Sequence, residues 1–177
     1  VMTNAGGMRA VRYGVTRDYV LGMQVVLPDG EITELGGKIV KNSSGYSLLD
    51  LMIGSEGTLG ILTRVTLKLI SEPRVNLSLL VPFADLDQCI EAVPKVLNCG
   101  ESTAVEFMER EVIKASEDYL GRHFPDNSAD AYLLIRLDGP SRQALEPAVQ
   151  EMTDLLLSLG AVDVRLADTD ERKSTIW

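Results

Sequence analysis

The chain has 177 residues, 45% of them hydrophobic and 24% charged, which is typical of one globular domain or two small ones and not of a disordered segment. Its formal net charge of −9 and its pI near 4.6 argue against a nucleic-acid-binding surface. One histidine and two cysteines are too few for a histidine-rich metal centre, a zinc ribbon or a disulfide scaffold.

Glycine and charge are divided unevenly along the chain. Eleven of the fifteen glycines fall within the first 60 residues. Residues 1–70 carry a net charge of +1, whereas residues 71–177 carry −10. We therefore predict two domains, residues 1–72 and 73–177, that meet at Ser71-Glu72-Pro73, where proline ends the preceding strand.

The front half reads as a small antiparallel sheet with one short helix. Tyr19–Leu27 is rich in β-branched and apolar residues, and Pro28-Asp29-Gly30 is a strong turn signal before the alternating segment Glu31–Leu35. This pattern predicts a β-hairpin. Leu48–Ile53 predicts one or two turns of helix, and Ile61–Leu69 alternates as a further strand.

The back half alternates between strands and helices. Strands are predicted at Leu77–Phe83, Thr103–Met108, Ala131–Leu137 and Val162–Leu166. Helices are predicted after the N-caps Asp85 and Ser141, reaching Leu97 and Leu159, and over Glu109–Leu120. Without the helix at Glu109 the order is βαββαβ, which predicts a ferredoxin-like antiparallel sheet with helices on one face and an α+β fold class.

The first of these helices carries two specific expectations. Leu86, Ile90, Val93 and Leu97 share one face, which we expect to be buried. Pro94 removes a backbone donor, and we expect it to kink or split the helix.

Four polar, glycine-containing segments in the front half need an explanation. They are Thr3–Gly7, Tyr13-Gly14 with the following Arg17-Asp18, the loop from Lys38 to Tyr46, and Gly54–Ile61. Glycines let a backbone approach phosphates and flat heterocycles, and a buried glutamate can accept a hydrogen bond from a sugar hydroxyl. Tight turns and bulges are the competing interpretation. No segment matches the dinucleotide fingerprint or a P-loop, so these residues alone predict only a glycine-lined ligand site.

Two long segments carry a more specific signal. The run NAGGMRAVRYGVTRDYVLGMQVVLPDGEI and the run KIVKNSSGYSLLDLMIGSEGTLGILTRVTLKL closely resemble the FAD-linked oxidase family, which has the vanillyl-alcohol-oxidase or PCMH-type flavoprotein fold. Within that family the chain is most similar to the glycolate oxidase catalytic flavin subunits and to D-lactate and D-2-hydroxyglutarate dehydrogenases. The resemblance runs nearly without gaps from Val1 to about Pro73.

The resemblance implies FAD as cofactor. Residues 1–72 would be the C-terminal part of the FAD-binding domain, and residues 73–177 the N-terminal part of a substrate or cap domain. The cofactor-binding residues implied are Thr3, Asn4, Gly6, Gly7, Tyr13, Gly14, Glu56, Gly57, Gly60 and Ile61. Lys41, Asn42 and Tyr46 also belong to the family pattern; whether they contact the cofactor or cap and pack the helix at Leu48 stays open.

The activity implied is oxidation of a small D-2-hydroxy acid to the 2-keto acid, with hydride transfer to flavin N5. A non-catalytic flavin-binding subunit of a glycolate oxidase-like complex is the alternative. The resemblance also implies a cytoplasmic protein that an electron-transfer partner subunit could bring to a membrane. The acidic back half is either a solvated face or the docking surface for that partner, and a homo-oligomer is an open alternative. Which hydroxy acid is oxidised is not predicted.

The ends of the chain suggest a piece of a longer protein. Val1 is not an initiator methionine, and Thr169 begins a helix that stops at Trp177. Trp177 resembles the tryptophan of a Trp-x-x-Arg segment that precedes the family's catalytic residues. We therefore expect no catalytic residues here and an inactive chain. The resemblance also places the family's glycine-rich pyrophosphate loop before the NAGG segment, outside this chain, so we expect weak or no FAD retention.

Three other reactive side chains are expected to have no catalytic role. His123 stands in a loop without a partner cluster, and Cys89 and Cys99 have neither redox nor metal spacing. We expect both cysteines to be buried, reduced thiols.

Overall fold

The structure is a computed structural model and describes residues 1–100 and 102–177. Contacts between Cα atoms divide the chain into two compact units, which we call unit 1, Val1–Ser71, and unit 2, Glu72–Trp177.

Unit 1 is built on a three-stranded antiparallel sheet in the order β2-β1-β3. Its elements are helix α1 (Ala10–Tyr13), a 3-10 turn (Thr16–Tyr19), strands β1 (Val20–Val26) and β2 (Ile32–Gly36), helix α2 (Leu48–Met52) and strand β3 (Ile61–Leu67). The predicted hairpin, short helix and third strand are thereby confirmed, while α1 and the 3-10 turn carried no clear periodic signal.

The β1–β2 turn forms where the sequence predicts it. The Leu27 N–H donates to the Glu31 carbonyl at 2.8 Å, and the Glu31 N–H donates to Asp29 Oδ1 at 3.0 Å. Gly30 adopts a φ of +88°, which is accessible to glycine at little cost. The turn sets the register in which Val26 faces Ile32.

The core of unit 1 is small and lies between the sheet and the segment around α2. Ser47 Oγ caps α2 by accepting from the Asp50 N–H at 3.2 Å. The buried residues are Val20, Met23, Val25, Met52 and Ile53. The short helix therefore serves mainly to bring Met52 and Ile53 onto β1.

Unit 2 is a four-stranded antiparallel sheet in the order β5-β6-β4-β7. The strands are β4 (Val75–Phe83), β5 (Ala104–Glu109), β6 (Ala131–Gly139) and β7 (Arg165–Ala167). The helices are α3 (Leu86–Asn98), α4 (Arg110–Leu120), α5 (Arg142–Ser158) and α6 (Asp170–Ile176). This order and the βαββαβ succession confirm the ferredoxin-like prediction. The expectation of helices on one face was incomplete, because α4 and α6 cover the face opposite α3 and α5.

Both faces of the unit 2 sheet are buried, in two separate clusters. Alternate residues of β4 and β6, including Leu79, Phe83 and Ile135, join Leu156 of α5 in the larger cluster. The residues between them, including Leu80, pack on the other face, where α4 and α6 contribute. Strands covered on both sides lose simple polar alternation, which explains the continuous apolar run in β4.

The N-caps of three helices lie where the sequence predicts them. Asp85 Oδ1 accepts from the Gln88 N–H at 3.2 Å, Ser141 Oγ from the Ala144 N–H at 3.2 Å, and the Thr169 hydroxyl from the Arg172 N–H at 3.3 Å. Each cap satisfies a backbone donor that the first helical turn leaves free.

The expectations for α3 hold only in part. The helix is not split at Pro94, which is exposed, as is Ile90, whose carbonyl the proline leaves without its helical donor. Leu86 and Val93 of the predicted face pack against the core, whereas Ile90 and Leu97 are 49% and 40% exposed. The fully buried stripe consists of Cys89, Ala92 and Val96.

Strand β7 is shorter and later than the predicted Val162–Leu166. Residues before it make only a single bridge, between Ala161 and Phe83. The Asp163 carboxylate accepts from the Val164 N–H at 2.8 Å and from Arg165 Nε at 3.0 Å. These local bonds compete with the strand ladder, so regular pairing begins only at Arg165.

Helix α6 packs its C-terminal end on the sheet. Ile176 is buried, and Trp177 Nε1 donates to the hydroxyl of Ser78 at 2.9 Å. Ser78 lies fully buried in β4, so this bond fastens the helix to the middle of the sheet. Among the described residues, every helix is too short or too polar to cross a bilayer.

A buried carboxylate anchors the loop between α4 and β6. The Asp126 side chain is 2% exposed and pairs with Arg165 Nη2 at 2.5 Å. Its Oδ1 accepts from the Ser128 N–H at 2.8 Å and from the Tyr132 hydroxyl at 2.9 Å. Burial by itself would raise the pKa of Asp126, but the hydrogen bonds from Ser128 and Tyr132 and the charge of Arg165 outweigh burial and lower that pKa.

Candidate functional site

Two loops of unit 1 lie side by side, the N-terminal loop of residues 1–7 and the loop of residues 53–60. The Glu56 N–H donates to the Met2 carbonyl at 2.8 Å. Together the loops border an open hollow of about 680 Å³. Its lining residues are Val1, Met2, Thr3, Glu56, Gly57, Gly60, Ile61 and Leu62. Sequence reasoning singled out five of these eight and missed Val1, Met2 and Leu62, which carry no glycine or polar signal.

The hollow offers hydroxyl, carboxylate and apolar groups. Thr3 and Glu56 are exposed, and Ile61 is 68% exposed. Glu56 is not the buried acid that the sequence suggested, but it adopts a φ of +51°, which is unusual for a residue with a side chain. Such backbone conformations persist only where neighbouring contacts hold them, and they are common at ligand sites.

The glycines around the hollow serve two different purposes. At Gly57, which has a φ of +81°, an added Cβ would meet nothing within 4 Å, so the backbone is open to a ligand. At Gly60 an added Cβ would lie 2.7 Å from Val25 Cγ1 and 2.8 Å from the Val26 carbonyl oxygen. Gly60 is therefore required by the packing of β3 against β1, whatever the hollow binds.

Replacing Gly60 by alanine is expected to destabilise unit 1 by about 2 kcal/mol, because the new methyl group overlaps fixed backbone. Gly7→Ala is the matched control, since a Cβ there would meet nothing within 4 Å and should change stability by less than about 0.5 kcal/mol. Urea unfolding followed by circular dichroism measures both. Equal stabilities of the two variants would contradict the packing role of Gly60.

The other five predicted residues, Asn4, Gly6, Gly7, Tyr13 and Gly14, do not line this hollow. Asn4 has a φ of +47°, and its Oδ1 accepts from the Arg17 N–H at 3.0 Å. Gly14 has a φ of +74°, and a Cβ there would collide with the Asp18 carboxylate. These contacts support a role for Asn4 and Gly14 in shaping the loops.

A second hollow of about 400 Å³ lies beside β2 and the loop that precedes α2. Asn42 and Tyr46 line it, whereas Lys41 does not. Tyr46 is 97% exposed, and Asn42 Oδ1 accepts from the Ser44 N–H at 3.2 Å. Ser47 supplies the side-chain cap of α2, while the Tyr46 carbonyl accepts from the Leu48 N–H at 3.0 Å. The interpretation of Lys41, Asn42 and Tyr46 as capping residues therefore holds only for the Tyr46 backbone.

Within the described part of the chain, the structure assigns no catalytic role to the two cysteines or to the histidine of unit 2. Burial raises the pKa of the Cys89 thiol to about 12, which keeps the thiol neutral and unreactive. Cys99 is only half-buried, contrary to expectation, although both thiols are free. The His123 side chain is 98% exposed and lies 3.8 Å from Glu117.

Models of two protein families match the chain. The model described as "FAD linked oxidases, C-terminal domain" matches residues 72–177, which is more than half of the chain. The model described as "FAD binding domain" matches residues 1–46. The chain belongs to the FAD-linked oxidase family.

Characterised members of this family align along nearly the whole chain. It is 49% identical over 183 residues to a D-lactate dehydrogenase of Anaerostipes hadrus, covering 100% of this chain and 38% of that protein. It is 38% identical over 169 residues to glycolate oxidase subunit GlcD of Bacillus subtilis, covering 95% of this chain and 36% of that protein. The chain thus spans well under half the length of these relatives.

Solved structures with the same fold include enzymes of distant sequence. An alkyldihydroxyacetonephosphate synthase superposes with a TM-score of 0.71 at 20% identity, covering 97% of this chain and 35% of the other. A p-cresol methylhydroxylase with bound substrate superposes with a TM-score of 0.60 at 18% identity, covering 89% and 37%. At these identities the likeness establishes the fold alone.

The residues of the first hollow fit FAD, the cofactor of the FAD-linked oxidase family. The open backbone at Gly57 suits close approach of a large ligand, and Glu56 and Thr3 can bond to hydroxyl groups. The exposed Ile61 offers apolar surface to a flat ring. The buried Ser55 Oγ, on the same loop, has no hydrogen-bond partner among the described residues, as expected beside a site for a polar ligand.

Proposed function

We propose that the protein containing this chain oxidises a small D-2-hydroxy acid, of the glycolate or D-lactate type, to the 2-keto acid. The observation that carries this proposal is the 49% identity to a D-lactate dehydrogenase across the whole chain. Matches to glycolate oxidase subunits support the same substrate class. FAD, when bound, supplies the acceptor for the hydride, and the protein supplies binding, orientation and electrostatics.

We infer different tasks for the two parts of the chain. Residues 1–72 act as the C-terminal part of the FAD-binding domain, in which Thr3, Glu56, Gly57, Gly60 and Ile61 hold the cofactor. Asn4, Gly6, Gly7, Tyr13 and Gly14 support the cofactor loops or contact parts of FAD outside the hollow. Residues 73–177 act as the N-terminal part of the substrate or cap domain.

A non-catalytic flavin-binding subunit is the second candidate. The observation that favours it is the match to proteins named as subunits of glycolate oxidase. In either case His123, the only histidine of the chain, is 98% exposed and lies far in sequence from the loops of the hollow. A general base for the substrate hydroxyl needs a side chain within hydrogen-bond reach of that hydroxyl. We accordingly propose that the 177-residue chain by itself is inactive.

Turnover assays distinguish these candidates. We expect the whole protein, supplied with FAD and an artificial electron acceptor, to oxidise at least one of D-lactate, glycolate and D-2-hydroxyglutarate, and the 177-residue chain to oxidise none. The usual absorbance band of oxidised flavin lies at about 450 nm. If the purified 177-residue chain is yellow and this band shows one flavin per chain, the expectation of weak FAD retention is wrong. A whole protein that binds FAD yet oxidises none of the three acids would favour the binding subunit.

We further propose a cytoplasmic location and an electron-accepting partner subunit. Free thiols at Cys89 and Cys99 suit a reducing compartment. The net charge of −10 on residues 71–177 offers a surface for a basic partner. A homo-oligomer is the alternative assembly, and size-exclusion chromatography with light scattering tells the two apart.

A further inference from the structure

One residue outside the hollow bonds to both of the loops that border it. The Arg17 backbone N–H donates to Asn4 Oδ1 at 3.0 Å, and the Arg17 guanidinium Nη2 donates to the Ile53 carbonyl at 3.2 Å. Asn4 belongs to the N-terminal loop, and Ile53 begins the loop of residues 53–60. Arg17 therefore links the two loops through Asn4 and Ile53, neither of which lines the hollow.

Neighbouring bonds fix Arg17 itself. Thr16 donates to the Ala5 carbonyl from its hydroxyl at 2.8 Å and from its N–H at 3.2 Å. These bonds join the N-terminal loop to the 3-10 turn from which the Arg17 side chain extends. The guanidinium also lies 4.0 Å from the Asp50 carboxylate, but both side chains are about half exposed, at 45% and 48%, so that ion pair contributes little.

Each loop holds one residue other than glycine in a left-handed conformation. Asn4 has a φ of +47° and Glu56 a φ of +51°. Such residues need surrounding contacts to hold them. Asn4 has its contact through the Arg17 N–H, and Glu56 through the Met2 carbonyl at 2.8 Å. A shift of either loop would disturb the Glu56–Met2 contact that joins them and change the width of the hollow.

We propose that Arg17 is a positioning residue that holds the two loops at the spacing the cofactor requires. It does not line the hollow; it acts through Asn4 and Ile53. Loss of its guanidinium releases the loop of residues 53–60 while the sheet and α2 stay folded. The consequence for FAD affinity rests on the proposed function, whereas the consequence for the loops does not.

The test uses the 177-residue chain and the variant Arg17→Met, which keeps the length of the side chain and removes its donors. We expect amide hydrogen exchange at Glu56 to become about tenfold faster, the effect of losing one charge-assisted hydrogen bond. Arg17→Lys, which retains one cationic donor, should give an intermediate rate. The bond is partly buried, so the same loss should lower the thermal midpoint of unit 1 by about 5 °C or more, whereas amide exchange in unit 2 should stay unchanged.

Two variants serve as controls. Arg64→Met removes an exposed arginine of β3 whose side chain has no hydrogen bond or ion pair with the residues at 1–100 and 102–177, and Asp50→Asn removes only the weak ion pair. Both should leave exchange at Glu56 unchanged. If Arg17→Met also leaves exchange at Glu56 unchanged, or speeds exchange in unit 2 as much as at Glu56, the positioning role is overturned.

Titration of the whole protein that contains this chain with FAD, followed by flavin fluorescence, supplies the second measurement. We expect Arg17→Met to weaken FAD binding by the whole protein about tenfold relative to the wild type and to Arg64→Met. Equal FAD affinities combined with faster exchange would overturn the link between loop spacing and the cofactor. Faster exchange in a whole protein that binds no FAD would count against the proposed function of the hollow and uphold Arg17 as the residue that holds its loops.

Discussion

Replacing Phe83 by alanine is expected to lower the free energy of unfolding of unit 2 by about 4 kcal/mol, the usual cost of removing a buried aromatic ring from a packed core. Phe83 is fully buried at the end of β4, where it belongs to the larger core cluster and pairs with Ala131. The single bridge to Ala161 also forms at this residue. Its ring therefore fills the space where β4, β6 and the end of α5 converge.

Phe107→Ala is the control for this prediction. Phe107 lies in β5 and is 39% exposed, so the same deletion should cost less than about 1 kcal/mol. Urea unfolding can be followed by the fluorescence of Trp177, the only tryptophan of the chain, whose hydrogen bond to Ser78 reports on unit 2. Similar losses in the two variants would show that the ring of Phe83 is not packed as described.

Asp126→Asn is expected to cost about 3 kcal/mol at neutral pH. The amide keeps the shape of the carboxylate but turns an NH₂ group toward Arg165 and weakens the bonds from Ser128 and Tyr132. A buried donor that loses its acceptor costs more than an exposed one. Because Arg165 is 44% exposed, water compensates part of its lost partner, which keeps the effect below that of a fully buried pair.

The matched control removes the other carboxylate on the same arginine. Asp163 is 52% exposed and lies 3.0 Å from Arg165 Nε, so Asp163→Asn should cost less than about 1 kcal/mol. Denaturant unfolding of both variants, monitored by Trp177, measures the difference. Equal losses of stability in Asp126→Asn and Asp163→Asn would mean that burial of the Asp126 carboxylate does not increase its contribution to the free energy of unfolding.

The effect of Asp126→Asn should also depend on pH. The pKa of Asp126 in the folded protein lies below its ordinary value, so the folded state binds this proton less readily than the unfolded state. The contribution of Asp126 is therefore complete above the unfolded pKa of about 4 and disappears as pH falls through the lower folded pKa. The gap in stability between wild type and Asp126→Asn should shrink on acidification from pH 7 to pH 3.

Much of the fold was predictable because local patterns and tertiary packing agree. In unit 1 the Pro28-Asp29-Gly30 turn and the alternation on either side specify the hairpin without help from the rest of the chain. In unit 2 the caps Asp85, Ser141 and Thr169 mark helix starts within one residue. The order of strands then follows from the βαββαβ succession.

The errors arose where a side chain competes with the regular backbone pattern or where exposure tolerates an irregularity. The Asp163 carboxylate accepts hydrogen bonds from the Val164 N–H and from Arg165 Nε, and these local bonds compete with strand pairing. Strand β7 therefore begins only at Arg165. Pro94 breaks no helix because it lies on the exposed side of α3. Neither outcome can be read from hydrophobic periodicity, since both depend on which side of the element meets solvent.

For the candidate site, glycine content and family resemblance indicated the right loops but not the role of each residue. Thr3, Glu56, Gly57, Gly60 and Ile61 do border one hollow. Arg17-Asp18 was singled out in the sequence, but the role of Arg17 was not predicted because its bond to Ile53 joins residues 36 positions apart. A contact of that separation leaves no periodic trace in the sequence, and only the folded arrangement of the turn and the loop reveals it.

The position of β4 at the centre of its sheet has a consequence for the order of folding. This strand is the first of unit 2 to leave the ribosome, yet its two neighbours are β6 and β7, and Ser78 bonds to a tryptophan 99 residues later. Pairings of such long range slow folding, because a large loop must close before the contact is gained. During synthesis β4 therefore waits with both edges unpaired until β6 has been made, and its other edge stays unpaired until β7 follows near the end of unit 2. Docking of Trp177 should be among the last steps to complete.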